Sequence, residues 1–179
     1  TILDRIFEYT MMEVETSFRR IYEDHFSLIR MINENQLPLP KALAGVVEFV
    51  LNRDMTRLLE MEDIPVDRLN HLVEEINRWP FKRDKENLDF IGGHRINDLM
   101  RRFAKNPEDL GLLEHTAEVL GLLQGLKLEL DFWKAQNIYY AIGQTKYREK
   151  RALADKDDVA GRWVRAFEKL GEMLRVKVV

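Results

Sequence analysis

Trp133, Gln136, Asn137 and Tyr140 are the residues whose types and spacing come closest to a binding chemistry. Separations of three, four and seven put them on one side of a helix. Flat aromatic faces beside amides are what sugar rings and hydroxyls require of a protein surface. The same set also serves as a helix–helix joint with its amides paired internally. The residues alone leave both readings open. His25 is the second candidate, because it interrupts a stripe of apolar residues and must find partners or bear a desolvation cost. One reading sets it at a cleft, donating to a ligand. The other, which we prefer, bonds it to a backbone carbonyl or a carboxylate at a helix kink.

Other chemistries lack their residues. A di-iron bundle needs paired Glu-x-x-His motifs, but Tyr22, Arg68, Ile91 and Leu112 stand three before His25, His71, His94 and His115. His-Glu-x-x-His, a phosphate-cradling Gly-x-x-x-x-Gly-Lys loop and a Gly-x-Ser-x-Gly elbow are all missing. His71 with Glu74 and Glu75 could share a helical face, an arrangement that is common by chance on charged helices. The two serines, Ser17 and Ser27, lie inside a helical pattern and make poor nucleophiles. Without cysteine there is no disulfide, thiolate metal site or cysteine nucleophile. No metal, no cofactor and no catalytic residue is expected.

The chemistry must be carried by helices. Phe7, Met11, Val14, Phe18, Ile21, His25, Leu28 and Ile32 recur at spacings of four and three, the period of a helix laid along a bundle core. The pattern predicts a first helix from Leu3 to Asn33, with a kink near Asp24-His25. Leu37-Pro38-Leu39-Pro40 enforces an extended corner, and Pro40 suits the first turn of the next helix. Leu43, Val46, Val47, Phe49, Val50 and Leu51 make that helix apolar on most sides, so it should be deeply buried. Asn52-Arg53-Asp54 is a candidate interruption.

Further helices are expected around Asp67–Ile76, ended by Trp79-Pro80-Phe81, and after Asp84, through Leu88, Ile91, Leu99 and Phe103. Gly92-Gly93 inside the latter points to a bend or a close helix contact. Pro107-Glu108-Asp109 opens another, on which Gly121 and Gly125 let a neighbour approach closely. Leu130–Leu153 and a last helix bearing Trp163, Phe167, Leu170 and Leu174 follow. The tail Arg175-Val176-Lys177-Val178-Val179 alternates like a short strand. The expected fold is an all-α bundle of six or seven helices in one domain, residues 1–179.

With a net charge of −3, neither nucleic acid nor an anionic membrane is an expected partner. The basic run Lys146, Arg148, Lys150 and Arg151 reads as a solvated helix end. No apolar run approaches the roughly 20 residues that span a bilayer, no signal-peptide pattern is present, and the lack of cysteine fits a reducing, cytoplasmic compartment. The chain starts in helical periodicity without an initiator methionine, so a longer parent protein is expected.

Several segments together resemble the C-terminal helical region of glycoside hydrolase family 57 proteins, the amylase and mannosidase-like group. They are Phe18-Arg19-Arg20-Ile21-Tyr22-Glu23-Asp24-His25, Leu37-Pro38-Leu39-Pro40-Lys41-Ala42-Leu43, Glu48-Phe49-Val50-Leu51-Asn52, Trp133-Lys134-Ala135-Gln136-Asn137-Ile138-Tyr139-Tyr140, and Phe167-Glu168-Lys169-Leu170-Gly171-Glu172 with Leu174-Arg175-Val176. They cover most of the chain in order. The resemblance implies an upstream catalytic barrel in the same polypeptide that holds the nucleophile and the acid/base. It makes this region a non-catalytic accessory domain that supports the barrel. The resemblance supports both readings of the Trp133 cluster, as a contact for an α-glucan or other oligosaccharide and as a helix face that docks on the barrel. The alternative is a protein–protein interaction module unrelated to carbohydrate.

Overall fold

The computed structural model describes residues 2–79 and 84–177. Those residues form an all-α bundle. Its elements are α1 (Ile2–Asp24), α2 (Phe26–Glu34), α3 (Lys41–Glu60), α4 (Val66–Arg78), α5 (Lys85–Lys105), α6 (Leu110–Gly125), α7 (Trp133–Ile142), α8 (Arg148–Leu153) and α9 (Asp158–Leu174). A π-helical turn, Gly143–Tyr147, fuses α7 to α8. With α1–α2 and α7–α8 taken as single rods, seven remain among the described residues, within the expected range. The kink expected near Asp24-His25 is the break between α1 and α2.

Helix α3 is central, as its all-round apolar sequence requires. Val47, Val50, Leu51, Met55, Leu58 and Leu59 are each no more than 3% exposed, and α1, α4 and α5 pack around it. Asn52-Arg53-Asp54 does not interrupt it. Arg53 and Asp54 point their charges across to α1, to Glu15 and Arg19, and the helix continues beneath them. On the far side, α9 packs along α6 and α8. An aromatic column links α9 to α7: Trp163 stacks on Phe167 at 4.8 Å and Phe167 on Tyr139 at 4.1 Å between ring centroids.

Local signals set several boundaries. Asp109 caps α6 by accepting from Leu112 N at 2.9 Å, and Asp157 caps α9 by accepting from Val159 N at 2.9 Å. Asp84 precedes α5 without a side-chain cap bond; its own N–H donates to Asn52 Oδ1 at 3.1 Å. Pro80 and Phe81, expected to end α4, lie outside the described residues. The C-terminal strand is not formed at Val176 and Lys177, and Val178-Val179 lies outside the described residues. Arg175 instead adopts a left-handed conformation (φ 57°), and Val176 N donates back to Gly171 O at 2.9 Å, closing α9.

The first helix departs most from expectation. Its partner is α3, running antiparallel: Glu15 reaches Arg57 and Arg53, while Phe18 meets Phe49 at 4.9 Å. Among the described side chains of α1, only Val14, Glu15, Phe18, Arg19 and Tyr22 are buried or half-buried. Since α3 ends at Glu60, one turn past Arg57, the start of α1 has no helix opposite it. Every described side chain from Ile2 to Glu13 is exposed, with Ile2 at 79%, Leu3 at 77% and Phe7 at 68%. The stripe therefore does not lie along the core over its whole length. The exposed residues 2–13 span about 16 Å of helix, at 1.5 Å per residue.

The glycines also sort differently from their spacing. Gly92-Gly93 does not interrupt α5, which continues through both. A Cβ at Gly93 would sit 3.0 Å from Asp131 N, so the close-contact reading applies. Gly121 and Gly125 are not close-approach positions: a Cβ there would meet Met173 Sδ at 3.7 Å and Val73 Cγ1 at 3.8 Å, ordinary contact distances. Gly92 is also close, with a Cβ there 2.8 Å from Leu130 Cδ2, and at Gly171 a Cβ would overlap the Tyr139 phenol.

Candidate functional site

The start of α7 is built by α5. Asn97, buried on α5, donates from Nδ2 to Asp131 O at 3.0 Å and accepts from Ala135 N at 2.8 Å. It thereby satisfies one of the amide groups that a helix N-terminus leaves unpaired. Asp131 Oδ1 accepts from Trp133 N at 3.0 Å, and the bare backbone of Gly93 lets the segment lie this close. The inner face of α7 is then fixed by Ala135, Tyr139 and Ile142, all buried. Tyr139 Oη donates to Phe167 O at 3.1 Å, and burial pushes its pKa up.

With that face buried, the predicted cluster points away from the core. Trp133 is 67% exposed and Tyr140 53% exposed. Between them, Gln136 is half-buried and donates from Nε2 to Leu174 O at 2.9 Å, while Asn137 donates from Nδ2 to Trp133 O at 2.9 Å. The four do share one side of a helix. Gln136 joins that side to the end of α9. The amides are paired internally, as a joint would have them, but the two rings have no helix packed over them among the described residues.

A concavity of about 630 Å³ lies between the α7–α8 rod and the end of α9. Tyr139 and Tyr147 form its floor, with Glu168, Glu172 and Arg175 around it. Tyr147 stands on the π-helical turn and donates to Glu168 at 2.6 Å, a bond that raises the pKa of its hydroxyl. Such turns interrupt a helix at an energetic cost and recur at functional sites.

His25 lies far along the chain from this group, at the α1–α2 break, and is exposed. Its imidazole has no hydrogen-bond partner among the described residues and does not cap α2. The internally bonded reading of His25 does not hold. The face of α1 that α3 covers is centred on Glu15, Phe18 and Tyr22, and the helix ends at Asp24 before His25 can turn inward.

The residues that the sequence reading missed are charged or small. Glu15, 12% exposed at its side chain, accepts from Arg57 at 2.5 Å and Arg53 at 3.1 Å, and Arg19 meets Asp54 at 2.5 Å. This cluster clamps α1 to α3. The signal was an acid set inside an apolar stripe opposite two arginines four residues apart. At the turn after α3, Arg95 and Arg102 both donate to Glu62 O. Burial, then Arg102, lowers the Arg95 pKa, and burial lowers that of His115 nearby. The carboxylates whose pKa moves, Glu108 and Glu129, move down, held by Lys150 with Lys146 and by Lys85 respectively. No cluster of metal-ligating side chains occurs among the described residues, and no helix is long and apolar enough to cross a membrane. No family model, curated protein or solved structure matches the chain.

Proposed function

We propose that this chain is a non-catalytic accessory domain of a carbohydrate-active enzyme of the glycoside hydrolase family 57 type. It docks on the catalytic barrel through the free start of α1 and supports one wall of the glucan cleft. The observation that carries this reading is the exposed apolar end of α1. Leu3, Ile6 and Phe7 each forgo about 1.5–3 kcal/mol of burial in the isolated domain, and a docked surface would recover it. The alternative, an interaction module unrelated to carbohydrate, rests on the same exposed end; the ordered resemblance along the chain favours the barrel.

The test mixes the purified chain with a family 57 catalytic barrel and follows sedimentation velocity. Co-sedimentation that Ile6→Glu with Phe7→Glu abolishes supports the reading. Independent sedimentation at micromolar concentrations, or a complex indifferent to those substitutions, overturns it.

A further inference from the structure

The outer face of α7 carries a more specific inference. Trp133 and Tyr140 are seven residues apart within one regular α-helix, so their rings share a face about 10.5 Å apart along its axis. A single monosaccharide cannot cover both rings, whereas a linear oligosaccharide can. Between the rings, Gln136 and Asn137 have committed their amino groups to Leu174 O and Trp133 O. Each keeps a carbonyl oxygen, and no donor among the described residues reaches either one. Those oxygens are acceptors, and hydroxyls are the donors they suit.

Charge narrows the ligand further. One residue of the ten in α7, Lys134, is charged, against 33% in the chain as a whole. Single-stranded nucleic acid also stacks on aromatic rings, but it needs a cationic track beside them. The face is also held rigid from behind, by Asn97 at its start and by Tyr139 at its centre. A ligand therefore orders few protein groups on binding.

We infer that the outer face of α7 is a platform for a neutral linear oligosaccharide long enough to lie across Trp133 and Tyr140, its hydroxyls donating to Gln136 and Asn137. The choice of an α-glucan rests on the proposed function; the platform itself does not. Of the three tryptophans, Trp79 and Trp163 are buried, so Trp133 alone reports on this face.

The experiment titrates the chain with glucose, maltose and maltoheptaose and records tryptophan fluorescence. Maltoheptaose should give a saturable blue shift and glucose none. Trp133→Ala should remove the signal. Tyr140→Ala should weaken binding about tenfold, the loss of one ring contact, with unchanged circular dichroism because both rings are exposed. Calorimetry with Gln136→Ala and Asn137→Ala reads the amides independently of fluorescence. The inference is overturned by no saturable response to maltoheptaose, by equal responses to glucose and maltoheptaose, or by tighter binding of oligo-dT. Trp133→Ala leaves α1 untouched, so barrel docking without sugar binding sinks the platform alone, and sugar binding without docking sinks the domain reading alone.

Discussion

An alanine at position 93 would press its Cβ to 3.0 Å from the Asp131 backbone nitrogen, and backbone cannot swing aside as a long side chain can. Gly93→Ala should therefore cost about 1–3 kcal/mol, the usual range for overpacking. Gly121→Ala, with only Met173 Sδ at 3.7 Å, should be neutral or gain up to about 1 kcal/mol of helix propensity. Urea midpoints separate the two. Sequence spacing does not separate these glycines, because it reports which residues share a helix face and not how near the neighbour stands. His25→Leu should leave stability within about 0.5 kcal/mol, as for other exposed positions. His115 supplies the pH dependence. Burial lowers its folded pKa below the unfolded value of about 6.5, so the unfolded chain binds more protons in that range. The resulting stability is present above that value and is lost as pH falls through the folded pKa. His115→Gln should flatten the fall in urea midpoint between about pH 6.5 and the lower folded pKa.

Several helix boundaries were legible where a local device fixes them. The start of α6 at Asp109, the Pro40 corner and the all-round apolar sequence of α3 each follow from a few neighbouring residues, whereas the Asp157 cap was not read and Asp84 makes no side-chain cap bond. The fate of the α1 stripe was not legible, because a 3–4 spacing shows that a helix has an apolar side without showing how far its partner extends. Here α3 stops at Glu60 and α1 runs on. What holds α1 is largely the Glu15 clamp and the Phe18–Phe49 contact. Glu15→Gln should cost about 1.5–3 kcal/mol, the worth of hydrogen bonds to a charged group. It should also loosen α1 ahead of the rest of the bundle, seen as faster amide exchange in residues 14–22 with α5 and α9 unchanged.

At the scale of the molecule, the all-α fold follows directly from the periodicity, because the apolar faces of the helices are buried against one another in a shared core. The Trp133 cluster was legible as a shared helix face. Its solvent exposure was not, since that depends on Asn97, Gly93 and Tyr139 turning the opposite face inward. On the proposed reading, the purified chain should release no reducing ends from maltooligosaccharides or starch; turnover lost on replacing one of its acidic residues would argue for a catalytic role. The central claim is that the bare end of α1 is a docking surface on a family 57 barrel. Amide hydrogen exchange across residues 5–13, with and without that barrel, tests it most directly. The account predicts fast exchange in the free chain and at least about tenfold protection in the mixture, equivalent to about 1.4 kcal/mol. Identical exchange in both samples, at concentrations where the barrel is in excess, would contradict it.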